Sequence, residues 1–138
     1  MAFVLDASLA LAWSFDDEAE PASDLDIGLV SRDQAIAPSV WAMEVANALV
    51  IAERRGRLTR SESTRLATAL AALGVEVEPI SAQRALSSVL DFARDYELTS
   101  YDASYLELAA RQGIPLASID QRLRNAAARA GVELIGAN

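Results

Sequence analysis

Ser100-Tyr-Asp-Ala-Ser-Tyr-Leu-Glu-Leu-Ala-Ala-Arg-Gln112, then Gly113, then Ile114-Pro-Leu-Ala-Ser118, then Ile119-Asp120, is the stretch whose reading decides the fold. The first segment has helical amphipathic spacing, the glycine fits the left-handed cap that ends a helix, and the short apolar segment behind it reads as a buried strand. Gly74 and Gly131 repeat the arrangement, each closing an amphipathic run and preceding an apolar one at 75–79 and 132–135. With further strands at 3–5 and 35–37, helices are expected at 8–14, 18–31, 40–55, 60–73, 81–96, 100–112 and 121–130. Strands that alternate with helices in this way imply an α/β fold, a parallel sheet with helices on both faces. No internal repeat, low-complexity tract or linker divides the chain, so residues 1–138 are expected to form a single domain.

Composition narrows the chemistry. The 138 residues are 52% apolar, which suffices for one substantial core. Cysteine and histidine are both absent. Thiolate nucleophiles, imidazole bases and the usual zinc ligand sets are thereby excluded. Carboxylates remain, and an oxygen-only site favours hard cations, Mg²⁺ or Mn²⁺. The opening Met-Ala-Phe-Val-Leu-Asp carries no basic segment or cleavage site and reads as a first strand. The longest apolar run, 40–52, is too short to span a bilayer, so a cytoplasmic protein without membrane attachment is expected. The net charge of −8 opposes nucleic-acid binding when taken alone. The charges are unevenly distributed, however. Asp16, Asp17, Glu18, Glu20, Asp24, Asp26 and Asp33 crowd one segment, while Arg54, Arg55, Arg57, Arg60 and Arg65 gather near Gly56. That arginine group reads either as a surface that steers a polyanion or as the cap of a helix end and the solvation of the turn around Gly56. All twelve basic residues are arginine, which suits bidentate phosphate contacts and is equally consistent with a bias in base composition.

Four acids stand where this pattern brings them to one sheet edge. Ligands of open α/β sheets bind beyond the carboxyl ends of the strands. Asp6 follows the first strand directly, and Asp120 follows the strand at 114–118. Asp102 lies in the first turn of the helix after Thr99-Ser100, where amide dipoles favour negative charge. Glu44 projects from the apolar helix at 40–55, with Asn47 on the same face. Each has a plainer reading: Asp6 and Asp120 as helix N-caps, Asp102 as part of a Thr99 capping box, Glu44 as a surface residue. Gathered together, four carboxylates would raise one another's pKa unless a cation compensated them.

The blocks that carry these acids resemble a known family. Phe3-Val4-Leu5-Asp6-Ala7-Ser8, Ala37-Pro38-Ser39-Val40-Trp41-Ala42-Met43-Glu44-Val45-Ala46-Asn47-Ala48-Leu49, Leu98-Thr99-Ser100-Tyr101-Asp102-Ala103-Ser104-Tyr105-Leu106-Glu107-Leu108-Ala109 and Leu116-Ala117-Ser118-Ile119-Asp120-Gln121-Arg122-Leu123 are similar, in order and spacing, to the motifs of PIN-domain ribonucleases, in particular the VapC toxins of toxin–antitoxin pairs. The resemblance spans nearly the whole chain. It implies a three-layer α/β/α fold with a five-stranded parallel sheet, and Mg²⁺- or Mn²⁺-dependent RNA hydrolysis of the two-metal type. It further implies a homodimer and silencing by a cognate, VapB-like antitoxin. Asp6, Glu44, Asp102 and Asp120 are then the catalytic and metal-holding residues. Ser8, Asn47 and Ser118 would orient them, and Arg122 and Arg124 would meet RNA phosphates. Trp13 and Trp41 read either as interface anchors or as core.

Rival classes lack their markers. Phosphoacceptor and dehalogenase-type folds resemble their families through a phosphate-binding lysine, and this chain has none. No glycine-rich phosphate loop occurs either. The remaining alternative is a catalytically silent interaction protein that works only by binding an antitoxin or an operator-bound complex.

Overall fold

The computed structural model describes residues 1–15 and 25–136. Four strands, β1 (Ala2–Leu5), β2 (Gln34–Pro38), β3 (Glu76–Glu78) and β4 (Leu116–Ala117), form a fully parallel sheet in the order β3-β2-β1-β4. Val4 pairs with Ile36 on one side and with Leu116 on the other, which makes β1 central. Phe3, Val4 and Leu5 are all buried. Because successive strand residues point to opposite faces, both faces of β1 are covered, as the layered α/β fold requires.

The expected fifth strand at 132–135 is reduced to one parallel bridge, Leu134 to Leu116. Two backbone bonds serve it, Leu116 N–H to the Glu133 carbonyl at 2.9 Å and Ile135 N–H to the Leu116 carbonyl at 3.0 Å. β4 itself is only two residues long, so its outer edge offers little ladder to extend.

The helices are α1 (Ala7–Ser14), α2 (Leu29–Arg32), α3 (Val40–Arg54), α4 (Arg60–Ala71), α5 (Ala82–Arg84), α6 (Leu90–Tyr96), α7 (Ser100–Gln112) and α8 (Gln121–Ala130), with a π-helical turn, Ala85–Val89, joining α5 to α6. The helix expected at 18–31 falls partly on residues 16–24, outside the described residues. Its described part is helical only from Leu29 to Arg32, because Leu25 to Gly28 form turns. The expected helix at 81–96 is continuous but carries the π turn. Ser88 in that turn donates to Glu107 of α7 at 3.2 Å. Glu107 is buried and also meets Arg111 and Arg84, both of which reach Glu78 at the end of β3.

α7 runs against β1, β2 and β4, and its residues Ala103 to Ala109 are all buried. It starts on Thr99, whose hydroxyl accepts the Asp102 amide at 3.1 Å, and stops at Gly113 with φ +66°. The cap residues thus hold the helix in register over the carboxyl ends of the strands. Trp41 is buried in the core, and half-buried Trp13 donates its indole N–H to the Leu25 carbonyl at 2.9 Å.

Candidate metal centre

The chain leaves β1 toward β2 on one side and reaches β4 on the other, so the sheet's switch point lies between the ends of β1 and β4. Asp6 and Asp120 follow those two strands. Asp6 has the backbone position of an N-cap for α1, yet its side chain caps nothing. It is 4% exposed, and one oxygen, Oδ2, accepts Ser8 Oγ at 2.5 Å and Ser118 Oγ at 2.7 Å. Ser118 is fully buried and also accepts the Asp120 amide at 3.0 Å, which ties the end of β4 to the end of β1. Asp120 does cap its helix, accepting the Leu123 amide at 3.2 Å.

Glu44, in the second turn of α3, is half-buried. Tyr105 of α7 donates to its Oε1 at 2.5 Å. Tyr105 is fully buried, and the Ala7 backbone lies near enough to its hydroxyl to act on it. That hydroxyl ties the second acid to α7, the helix that also carries the third. The sequence reading missed this role, because a tyrosine at a core position of an amphipathic helix has the pattern of any packed aromatic.

The acids act on one another. Burial, opposed by the two serine donors and reinforced by Asp102 and Glu44, pushes the Asp6 carboxyl up to about 6. Burial likewise raises Glu44, with Tyr105 pulling it down and Asp102 pushing it up. Asp102 is raised by burial and by Asp120, against lowering contributions from Arg122 and Thr99. The Tyr105 hydroxyl is pushed well above its ordinary range by burial and by the two acids it faces. A chain of repulsion therefore runs Glu44, Asp6, Asp102, Asp120.

Among the described residues no three acidic side chains stand close enough together to ligate one ion as they are turned here. Three of the four carboxylates face donors of their own instead: two serines for Asp6, Tyr105 for Glu44, the Leu123 amide for Asp120. The donor set still fits a hard divalent cation. It is all oxygen, it comes from four elements, and burial together with mutual repulsion raises three of its members, Asp6, Glu44 and Asp102, which a divalent cation would offset.

The remaining candidates divide. Arg122 is exposed and close enough to Asp102 to lower it. Arg124 corrects the expectation of a phosphate contact. It is buried, its guanidinium donates to the carbonyls of Ser118 (2.9 Å), Ile135 (3.3 Å) and Gly136, and no side remains for RNA. Asn47 is exposed and, among the described residues, has no hydrogen bond to any of the four acids.

Solved structures share this architecture. PAE2754 from Pyrobaculum aerophilum is 24% identical, with a TM-score of 0.73 over 97% of this chain and 83% of that one. VapBC2 from Rickettsia felis, bound to a DNA fragment from their promoter, is 10% identical, with a TM-score of 0.65 over 97% of each chain. VapC20 of Mycobacterium tuberculosis, a sarcin-ricin loop cleaving toxin, is 16% identical, with a TM-score of 0.65 over 90% of this chain and 94% of that one. No curated protein sequence matches the chain. The PIN domain profile matches residues 3–129, a span that contains all four acids, and the chain belongs to the PIN-domain family.

Proposed function

We propose that this protein is a VapC-type toxin, a Mg²⁺- or Mn²⁺-dependent endoribonuclease of the cytoplasm, working as a homodimer and neutralised by a cognate antitoxin. The observation that carries the reading is the electrostatic coupling of Asp6, Glu44, Asp102 and Asp120, with Asp6 buried and its carboxyl near 6. A sheet edge that concentrates repelling carboxylates costs stability unless a cation occupies it. VapC20, described as a sarcin-ricin loop cleaving toxin, supports RNA as the substrate, and VapBC2 supports an antitoxin partner. No described helix is long and apolar enough to cross a membrane.

In this reading the four carboxylates hold the cation, Glu44 directly or through water. When bound, the ion supplies a water of lowered pKa and offsets charge during in-line phosphoryl displacement. Ser8 and Ser118 fix which oxygen of Asp6 faces inward, since both occupy Oδ2 and leave Oδ1. Tyr105 does the same for Glu44 through Oε1. Arg122, beside Asp102, is placed to receive a phosphate.

The alternative is a silent interaction protein. It draws on the Asp120 cap and on the separation of the carboxylates. One experiment decides between the two. Total RNA is incubated with the protein and Mg²⁺ or Mn²⁺, and new 5′ ends are mapped. Cleavage is expected, reduced more than about a hundredfold in folded Asp6→Asn or Asp102→Asn. Undiminished cleavage by either variant would remove the assignment.

A further inference from the structure

Helix α8 has two unlike faces. Leu123, Arg124, Ala126 and Ala127 point into the fold, whereas Arg122, Asn125 and Arg129 are exposed. Spacings of three and four residues align these three along one side of the helix. Together with Ala128, and with Tyr96 and Glu97 from the end of α6, they line an open groove of about 970 Å³. Its end nearest the acids is Arg122, two residues after Asp120 at the start of the same helix. Its other end, at Arg129, lies about 10 Å farther along the helix axis.

The groove is built to donate. The Arg129 guanidinium sits 5.7 Å from the centre of the Tyr96 ring and donates to the Tyr96 carbonyl at 3.2 Å. Tyr96 is itself stacked on Phe92 at 5.7 Å, so the arginine rests on a fixed platform. Asn125 Oδ1 accepts from Gln121 at 2.8 Å, which leaves the amide N–H groups as donors. Among the described residues no carboxylate stands within ion-pair distance of Arg122 or Arg129. On the facing wall stands Glu97, a non-glycine residue held at φ +54°.

We infer that this groove is the track of the RNA strand on one side of the scissile phosphate, with Arg122 and Arg129 on backbone phosphates and Asn125 donating between them. The inference rests on the nuclease reading above and names how that site takes its substrate. One row of donors as wide as a helix face suits a single strand. The anionic wall at Glu97 repels the second strand of a duplex. The competing basic cluster, Arg54 to Arg65, begins about 15 Å along α3 from Glu44, whereas Arg122 stands two residues from Asp120 on the same helix.

The test measures binding of a labelled single-stranded RNA of about ten nucleotides in Ca²⁺ across a salt series, and its cleavage in Mg²⁺ or Mn²⁺. The proteins are wild type, Arg122→Ala, Arg129→Ala, Glu97→Gln and Arg54→Ala, each first shown to melt cooperatively. Arg122→Ala and Arg129→Ala should each weaken binding severalfold and lower the salt slope by roughly 0.7. Glu97→Gln should tighten binding, and Arg54→Ala should match wild type. The groove assignment is overturned if Arg129→Ala binds like wild type, if Arg54→Ala carries the loss, or if Glu97→Gln weakens RNA binding. Cleavage by the wild type with an unaffected Arg129→Ala removes the groove and leaves the nuclease. The expected binding pattern without any cleavage supports the groove and removes the nuclease.

Discussion

Asp6 carries a measurable signature of its site. Its carboxyl titrates near 6 in the folded protein, against about 3.8 as its unperturbed value. Because the folded value is raised, this residue's contribution to stability is fully present below the unfolded pKa and is lost as pH rises through about 6. At neutral pH and without metal the buried charge costs on the order of 2–3 kcal/mol. Asp6→Asn should therefore raise the melting temperature of the metal-free protein at pH 7 and remove its decline between about pH 4 and 6. Thermal melts across that range check it, and equal pH slopes for the two proteins would count against a buried, repelled Asp6. Ser118→Ala should lower divalent-ion affinity by about 10- to 100-fold, read by titration against thermal shift. The four acids were legible in the sequence because strand ends, first turns and an apolar helix mark positions without needing packing detail. Tyr105 and Arg124 were not. Where a long side chain ends depends on how α7 and α8 lie on the sheet, and spacing along one helix does not encode that.

At the scale of elements, the link between the π turn and α7 is the feature most open to test. Glu107 accepts from Ser88 and Arg111 and pairs with Arg84 at 3.8 Å from a position only 4% exposed. Glu107→Leu leaves two arginines, 26% and 35% exposed in their side chains, that regain part of their solvation. The expected loss is about 2 kcal/mol, below the usual cost of breaking a fully buried pair, measured by urea unfolding. Thr59→Ala, which opens the capping box with Glu62 at the start of α4, should cost about 1 kcal/mol. The glycine-punctuated elements were readable because Gly113 and Gly131 do end their helices in the left-handed conformation. The last strand was overdrawn for a physical reason. Its partner β4 pairs over two residues, and an apolar run beside so short a strand has nowhere to build a ladder.

For the whole molecule, a cation that binds only the folded state adds stability by mass action. At about a hundred times its Kd, Mg²⁺ or Mn²⁺ should contribute about 2.7 kcal/mol and raise the melting temperature by roughly 5–10 °C. Asp6→Asn should show almost no such rise, and a similar rise in both proteins would place the ion elsewhere. The grip of Arg124 on the carbonyls of Ile135 and Gly136 joins residues synthesised late to Ser118, which holds the first acid made. A polypeptide halted at Ala130 possesses every carboxylate of the centre but lacks the acceptors that tether the guanidinium and the bridge that covers β4. Such a fragment should bind divalent ions more weakly than the protein that carries residues 131–136, read by thermal shift, because the latch behind β4 is part of what holds the carboxylates in place.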